Sequence, residues 1–451
     1  MNDNMNADAN KEIDLVSSPK ESFWKLAKPM IALSFFNEIY ALVDMFWVSH
    51  MDATSFFAVG VCIPLYMLLT AFGRSLGFGT NSVISREVGL GKYDDSYNFL
   101  LHGITGALIL WAVICFATFF LKDILALMKV TTATDLAIAY LRPIFIFSFV
   151  FILEILFGQT LQAEGDSKLP TVLGIGANVL NLILDPIFIF VFGWGVRGAA
   201  YATIVSALIP VIIYIYWYKS GRAKLQLNWG YFKPGLSIEI LWVSVPSFFM
   251  DCLWCAFGMF LNRILIEQLG QIGVLLYSTA NKLSNVLMAP DTAFTWALSS
   301  ISGHLYGAKK IGGLKDLYSY AVKLSMGTVF ALTLIFFFAR DYVFGLFSIV
   351  YPKATLYICL AALVMLPFLG VTKASIKVLI GIGKTYWAFI CIAVTIGLQV
   401  LLIILLFSAF PKGVCVLISI FVSEILCGLS FYILMRRLFN KLEHEENLKV
   451  V

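Results

Sequence analysis

The sequence predicts an all-α polytopic membrane protein whose twelve transmembrane helices form two pseudo-symmetric six-helix lobes, and three observations carry that prediction. Hydrophobic residues make up 60% of the chain and charged ones only 13%, with a mean hydropathy of +0.88, a balance that soluble domains do not reach. Apolar runs of the ~20 residues needed to cross a bilayer fall near 25–49, 54–77, 98–120, 136–160, 170–192, 198–218, 240–262, 277–301, 319–339, 355–376, 386–407 and 413–435. The two halves also align at a nearly constant offset. An offset of 217 takes Pro29 to Pro246, Ile84-Ser85 to Ile301-Ser302, Lys92 to Lys309 and Tyr140 to Tyr357, and 218 takes Gly165-Asp166-Ser167 to Gly383-Lys384-Thr385. Repeats of six helices share one orientation, which puts their symmetry axis along the membrane normal.

The segment 1–24 is polar and has no apolar stretch of the signal-peptide kind, so it reads as a cytoplasmic tail. Helices 1–6 form the first lobe, 25–218; a basic linker covers 219–239; helices 7–12 form the second lobe, 240–435; and 436–451 is a second tail. Lys and Arg concentrate in the tails and the even-numbered loops, which places both termini in the cytoplasm. Eight cysteines are scattered, and the Cys252–Cys255 pair stands in an apolar helix without a second pair or a nearby histidine, so it reads as packing.

Helix 1 carries Asn37, Tyr40 and Asp44 at spacings of three and four, hence on one face, with Glu38 on another. Helix 5 carries Asn178, Asn181 and Asp185 at the same spacings within Leu, Ile, Val and Phe. A carboxylate in mid-membrane costs about 2.5–3.5 kcal/mol on insertion scales, so such a face belongs against protein or a wet cavity. Pro186 removes one helical hydrogen bond and frees the carbonyl of Leu182. The result is an oxygen-rich set suited to a proton or a hard cation; the alternative is that the asparagines are interhelical hydrogen-bonding glue. The short turn GWGVRG makes helices 5 and 6 neighbours and brings Thr203 toward the depth of Asp185, although a threonine hydroxyl also bonds readily to its own helix.

The repeat maps Asp44 onto Leu261 and Asp185 onto Leu402 or Ile403, which concentrates the coupling chemistry in the first lobe. Other intramembrane ionisable residues are Arg74, Glu154, Asp251, Lys282, Asp291 and Glu424. Asp251 is a candidate contact for cationic substrate, and Arg74 and Asp291, repeat-equivalent at 217, are candidates for an ion pair between lobes. Met and aromatic side chains, such as Phe248, Phe249, Met250 and Trp254, suit an adaptable substrate wall.

The stretches VDMFWV, ISREVGLGKYDDSYN, LQAEGDSKLP and NLILDPIFIFVFGWGVRGAAYAT resemble the prokaryotic multidrug and toxic compound extrusion (MATE) transporters of the DinF/MepA-like branch, over nearly the whole chain. The resemblance implies a twelve-helix antiporter in the cell membrane. It would export amphiphilic, often cationic compounds in exchange for H+ or Na+. It further implies that Asp44, Asn181, Asp185 and Thr203 form the cation-coupling site; their oxygens would hold Na+ if that is the ion, and the helical spacing adds Asn37, Tyr40 and Asn178 as supporting polar groups. The chain departs from the family at Ala41, Gln162 and Trp254, the last arguing against a second-lobe coupling site. No cofactor and no nucleic-acid partner are expected, and the chain is expected to act as a monomer. A lipid-linked precursor flippase would call for more than twelve helices and a strongly cationic cavity, neither evident in the sequence. A membrane enzyme would call for a clustered catalytic set, whereas His50, His102, His304 and His444 are dispersed; the absence of a GxxxxGKS/T loop argues against ATP-driven transport.

Overall fold

The computed structural model describes residues 15–128, 133–225, 234–346, 352–406 and 412–448; the side chains of some helical positions, Asp44 among them, lie outside the described residues. The helices are α1 Pro19–Ser49, α2 Ala53–Gly89, α3 Tyr93–Ala117, α4 Leu121–Leu127, α5 Thr134–Ile146, α6 Ser148–Ala163 and α7 Lys168–Pro186. They continue with α8 Gly195–Lys219, α9 Pro234–Leu287, α10 Ala289–Gly307, α11 Ile311–Leu346, α12 Pro352–Gly381, α13 Thr385–Leu406 and α14 Lys412–Leu448. Among the described residues nine spans are long and apolar enough to cross a membrane, α3 and α4 counting as one; α5 and α6, bent by 50°, make a tenth. Helix α1 and the more polar α10 complete the twelve expected segments.

Proline positions explain where the helices deviate from the sequence reading. Pro143 lies one turn before the α5–α6 bend at Phe147, where its missing N–H and its ring disturb the helix. Between Pro246 and Pro290 there is no proline, and α9 runs on through the connection expected after residue 262, breaking only at Met288.

The internal repeat has a matching local structure. Gly165 and Gly383 both take positive φ, 86° and 77°. Asp166 N donates to Leu161 O at 2.9 Å and Lys384 N to Leu379 O at 2.7 Å, while Gly165 N and Gly383 N bond three residues back. Both are Schellman closures, which need the left-handed residue that glycine supplies without a Cβ clash.

Apolar burial follows the two halves with two exceptions, one of them Ile240 of α9, which packs into the first core. One core is built from α2–α8 and the other from α9–α14, but Phe23, Leu26 and Ala27 of α1 belong to the second. Trp24 Nε1 donates to Tyr320 Oη at 2.8 Å, and both Phe23 and Trp24 pack their rings on Phe294. Helix α1 is thus anchored at its start in the second lobe while its middle runs along α7 of the first.

The lobes are sealed where α2, α10 and α12 converge. Ser82 Oγ donates to Ile380 O at 2.6 Å, and Asn81 Nδ2 reaches Gln159 O at 2.7 Å and Ser300 Oγ at 3.0 Å. The repeat-equivalent Ile84 and Ile301 are both fully buried here. A Cβ on Gly307 would collide with the backbone carbonyl of Arg86, and one on Gly89 with that of His304, so the two helices cross at glycine distance. Beside the seam, Glu164 Oε2 accepts from the linker amides of Lys224 at 2.8 Å and Leu225 at 3.3 Å, fixing the start of the linker to the first lobe.

Gly307→Ala therefore lowers the melting temperature in detergent, by an overpacking cost of about 1–3 kcal/mol. Gly60→Ala, in the same kind of helix but with nothing near its Cβ, does not lower it, because alanine is the better helix former. Equal melting temperatures for the two variants would show that the seam is not tight.

Candidate functional site

The polar faces of α1 and α7 meet. Asn178 Nδ2 donates to Asn37 Oδ1 at 2.7 Å. One turn further along α7, Asn181 is 2% exposed and Asp185 fully buried. The carboxamide of Asn181 is fully satisfied when Nδ2 donates to Asp185 Oδ2 at 3.2 Å and to Tyr40 Oη at 2.7 Å, and Oδ1 accepts from the backbone amide of Thr203 at 3.0 Å. In the opposite orientation Tyr40 Oη donates to Oδ1 at 2.7 Å and the contact with Asp185 stretches to 3.5 Å; the network rather than the atom positions decides between the two. Asn181 is the hub joining α1, α7 and α8.

Thr203 enters this hub through its amide. Its hydroxyl donates to Ala199 O of its own helix at 3.0 Å. Asp44 stands one turn beyond Tyr40 on α1, its side chain outside the described residues.

The chain after Asp185 is shaped to bring α8 close. Pro186 ends regular bonding and Ile187–Val191 form a π turn, closed by Phe192 N donating to Ile187 O at 2.9 Å. Such widened turns recur at functional sites. Gly193 and Gly195, with φ of 68° and 54°, reverse the chain, and a Cβ on Gly198 would lie 2.5 Å from Phe188 O. A cavity of 980 Å³ lined by Asp135, Trp194, Arg197 and Tyr201 opens beside this turn, apart from the Asn181 hub.

The expected pair of Arg74 with Asp291 is not formed. Arg74 Nε and Nη2 donate to Asp251 Oδ2 at 3.2 and 3.1 Å, with Nη1 on Thr70 Oγ1 at 3.1 Å. This pair does bridge the lobes, from α2 to α9. Asp291 instead turns into its own lobe, where Ser325 Oγ donates to its Oδ1 and Gly370 leaves it room. Equivalence near a symmetry axis placed the two residues at similar depth but did not fix which helix each faced.

Three groups escaped the sequence reading. Lys377, counted there among the cations of the loop after helix 10, lies within α12 with Nζ 3.4 Å from the centroid of the Phe78 ring. Lys373, one turn earlier, interacts electrostatically with Glu38, Asp291 and Glu424. Gln399 is 1% exposed and donates to Glu424 Oε1 at 2.9 Å. The signal for Gln399 was present, since an offset of 218 takes Asn181 onto it; the second lobe carries its own amide–carboxylate pair although Ile403, a counterpart of Asp185, is a buried apolar residue.

Twelve membrane segments in two repeats, with buried carboxylates and a polar seam between lobes, define a multi-pass membrane transporter. The MatE family model matches residues 29–187 and again 246–405, reproducing the 217–218 offset of the repeat, and the chain belongs to that family of transporters. Multidrug export protein MepA of Staphylococcus aureus strain N315 is 25% identical over 430 residues, spanning 92% of this chain and 93% of that protein. A crystal structure of a MATE protein in the straight conformation superposes with a TM-score of 0.92 at 25% identity, covering 96% of this chain and 99% of that one. A transporter of the MOP superfamily from Pyrococcus furiosus, described as having a binding pocket of reversed polarity that suggests a different function, gives 0.90 at 25% identity and the same coverage.

Asn181→Leu, which strips Asp185 of a donor and leaves it buried, costs about 1–3 kcal/mol, whereas Tyr40→Phe costs about 0.5–1.5 kcal/mol. Thermal unfolding in detergent should rank the two in that order; the reverse ranking would remove Asn181 from the centre of the site.

Proposed function

We propose that the chain is a cation-coupled multidrug efflux antiporter that exports amphiphilic, often cationic organic compounds by alternating access, in exchange for H+ or Na+. Both termini face the cytoplasm, consistent with the bias of Lys and Arg toward the tails and even-numbered loops, which persists when Lys377 is left out of the count. The observation that carries this reading is the fully buried Asp185, tied through Asn181 to Tyr40 of α1.

An ionised Asp185 needs compensation in an apolar helix. A proton or Na+ supplies it; for Na+, Asp44 contributes oxygens, joined by Asn181 Oδ1 and the Thr203 hydroxyl once the bond between Asn181 and the Thr203 amide opens. When the ion binds, the charge that orients Asn181 and Tyr40 disappears, and the hold of α7 on α1 changes. Because α1 starts in the core of the second lobe, a shift of α1 alters the lobe interface. Ion and substrate then oppose each other's binding, as exchange requires by linkage. The names of the relatives support multidrug export, and the adaptable aromatic residues along α9 support a varied cargo.

The test is efflux of a fluorescent organic cation from proteoliposomes under separately imposed pH and Na+ gradients. Asp185→Asn and Asp44→Asn should each lower the gradient-driven rate by about 5- to 150-fold, the usual span of a coupling energy, and the effective gradient identifies the ion. Wild-type rates in both variants would refute coupling at this site.

A further inference from the structure

The partly exposed polar groups where α2, α9 and α12 come together beside the seam have a chemistry of their own. One turn from Lys377 toward the seam, α12 meets α2 through the bond of Ser82 to Ile380 O, and one turn from Phe78 lies that same Ser82. Lys377 and Phe78 therefore stand on the last open turn before the helices close. Lys377 is partly exposed, and among the described residues no carboxylate forms an ion pair with it; its ammonium is held over the Phe78 ring instead. Close by, Arg74 and Asp251 neutralise each other across the lobes, with side chains 41% and 35% exposed. Lys377 interacts electrostatically with both of them and with Lys373. Lys373 too forms no ion pair among the described residues, and Glu38 is the partly exposed carboxylate it interacts with.

Three cations, Arg74, Lys373 and Lys377, stand beside two partly exposed carboxylates, Asp251 and Glu38, while the other two carboxyl groups that Lys373 interacts with, Asp291 and Glu424, are buried. An apolar wall adjoins them: Phe72 of α2 stacks on Phe248 of α9 with centroids 4.2 Å apart and an interplanar angle of 15°, and Phe249 follows, 51% exposed. A partly exposed lysine without a direct ion pair inside a membrane protein calls for an anion, and a flat aromatic wall beside it calls for a hydrophobic body.

We propose that this cluster, with Lys377 and Arg74 at its centre and Phe72, Phe78 and Phe248 beside it, binds the acidic group of an anionic or zwitterionic amphiphile. The acidic group is a carboxylate, sulfonate or phosphate. Lys377 donates a charge-assisted hydrogen bond to it, and Arg74 supplies a second by sharing its guanidinium with Asp251. This inference deepens the efflux reading by adding a substrate class, and it rests on that reading only for the fate of the bound molecule.

The experiment is equilibrium binding to the purified full chain in neutral detergent, without any gradient, using a dansylated fatty acid as the anionic probe and ethidium as the cationic one. Wild type binds the anionic probe. Lys377→Gln weakens that binding by about tenfold or more, the loss of one charged hydrogen bond. Lys377→Glu abolishes it while strengthening ethidium binding, and Lys377→Arg retains it. Asp251→Asn, which frees Arg74, tightens it, an effect opposite to that of damaged folding. Short-chain phosphatidylglycerol displaces the probe if lipid headgroups are taken; displacement by free alkyl carboxylate alone assigns the site to soluble amphiphiles, and either result supports recognition of an acidic group. Displacement by a short-chain diacylglycerol, which has no acidic group, just as strongly, unchanged affinity in a monodisperse Lys377→Gln, or a wild type that binds only ethidium overturns the proposal. Loss of gradient-driven efflux in Asp185→Asn with anion binding intact separates this site from the coupling site.

Discussion

Asp185 has no exposed surface and sits in a helix of Leu, Ile and Val. An isolated carboxylate in such a place would cost several kcal/mol as an ion, so the neighbouring elements are arranged around it. Asn181 stands one turn before it, Tyr40 approaches from α1, and the amide of Thr203 approaches from α8. The proline, the π turn and the paired glycines that follow let α8 come near enough for that amide to take part. The local irregularity is therefore the means by which three helices share one buried charge.

The same arrangement gives α1 two attachments. Aromatic packing of Phe23 and Trp24 on Phe294 fixes its start in the second lobe, while hydrogen bonds that Asn37 and Tyr40 accept from Asn178 and Asn181 hold its middle to the first. The first kind of contact is mainly apolar; the second is polar, and in the proposed mechanism its Tyr40–Asn181 part changes with the state of Asp185. A helix anchored in one lobe and held in the other by a charge-sensitive contact is a natural coupling element. The seam of α2, α10 and α12 supplies the complementary feature, a tight crossing whose glycines allow close approach of backbones.

Much of this was legible in the sequence because helical spacing and the repeat both act locally. Asn178, Asn181 and Asp185 at three and four residues had to share a face, and the repeated Gly165 and Gly383 turns are indeed alike in structure. What was not legible depended on helix rotation and on where spans end. Arg74 meets Asp251 rather than Asp291 because partner choice is set by packing between α2 and α9. Lys377 read as a loop residue because a lysine near the end of an apolar run normally marks the membrane boundary, whereas α12 continues to Gly381. Thr203 was predicted from its depth and from the family resemblance, and its bond to Asn181 comes through the backbone, which side-chain reasoning does not address.

The central claim is that Asp185 changes its charge when the coupling ion binds. Infrared difference spectroscopy of the purified protein, titrated with pH and with Na+, reads this directly through the C=O stretch of a protonated carboxyl group. The account predicts a protonated-carboxyl band that is lost on deprotonation or Na+ binding in wild type and is missing from the difference spectrum of Asp185→Asn. An identical band in Asp185→Asn, or no carboxyl change in wild type with either ion, would contradict it.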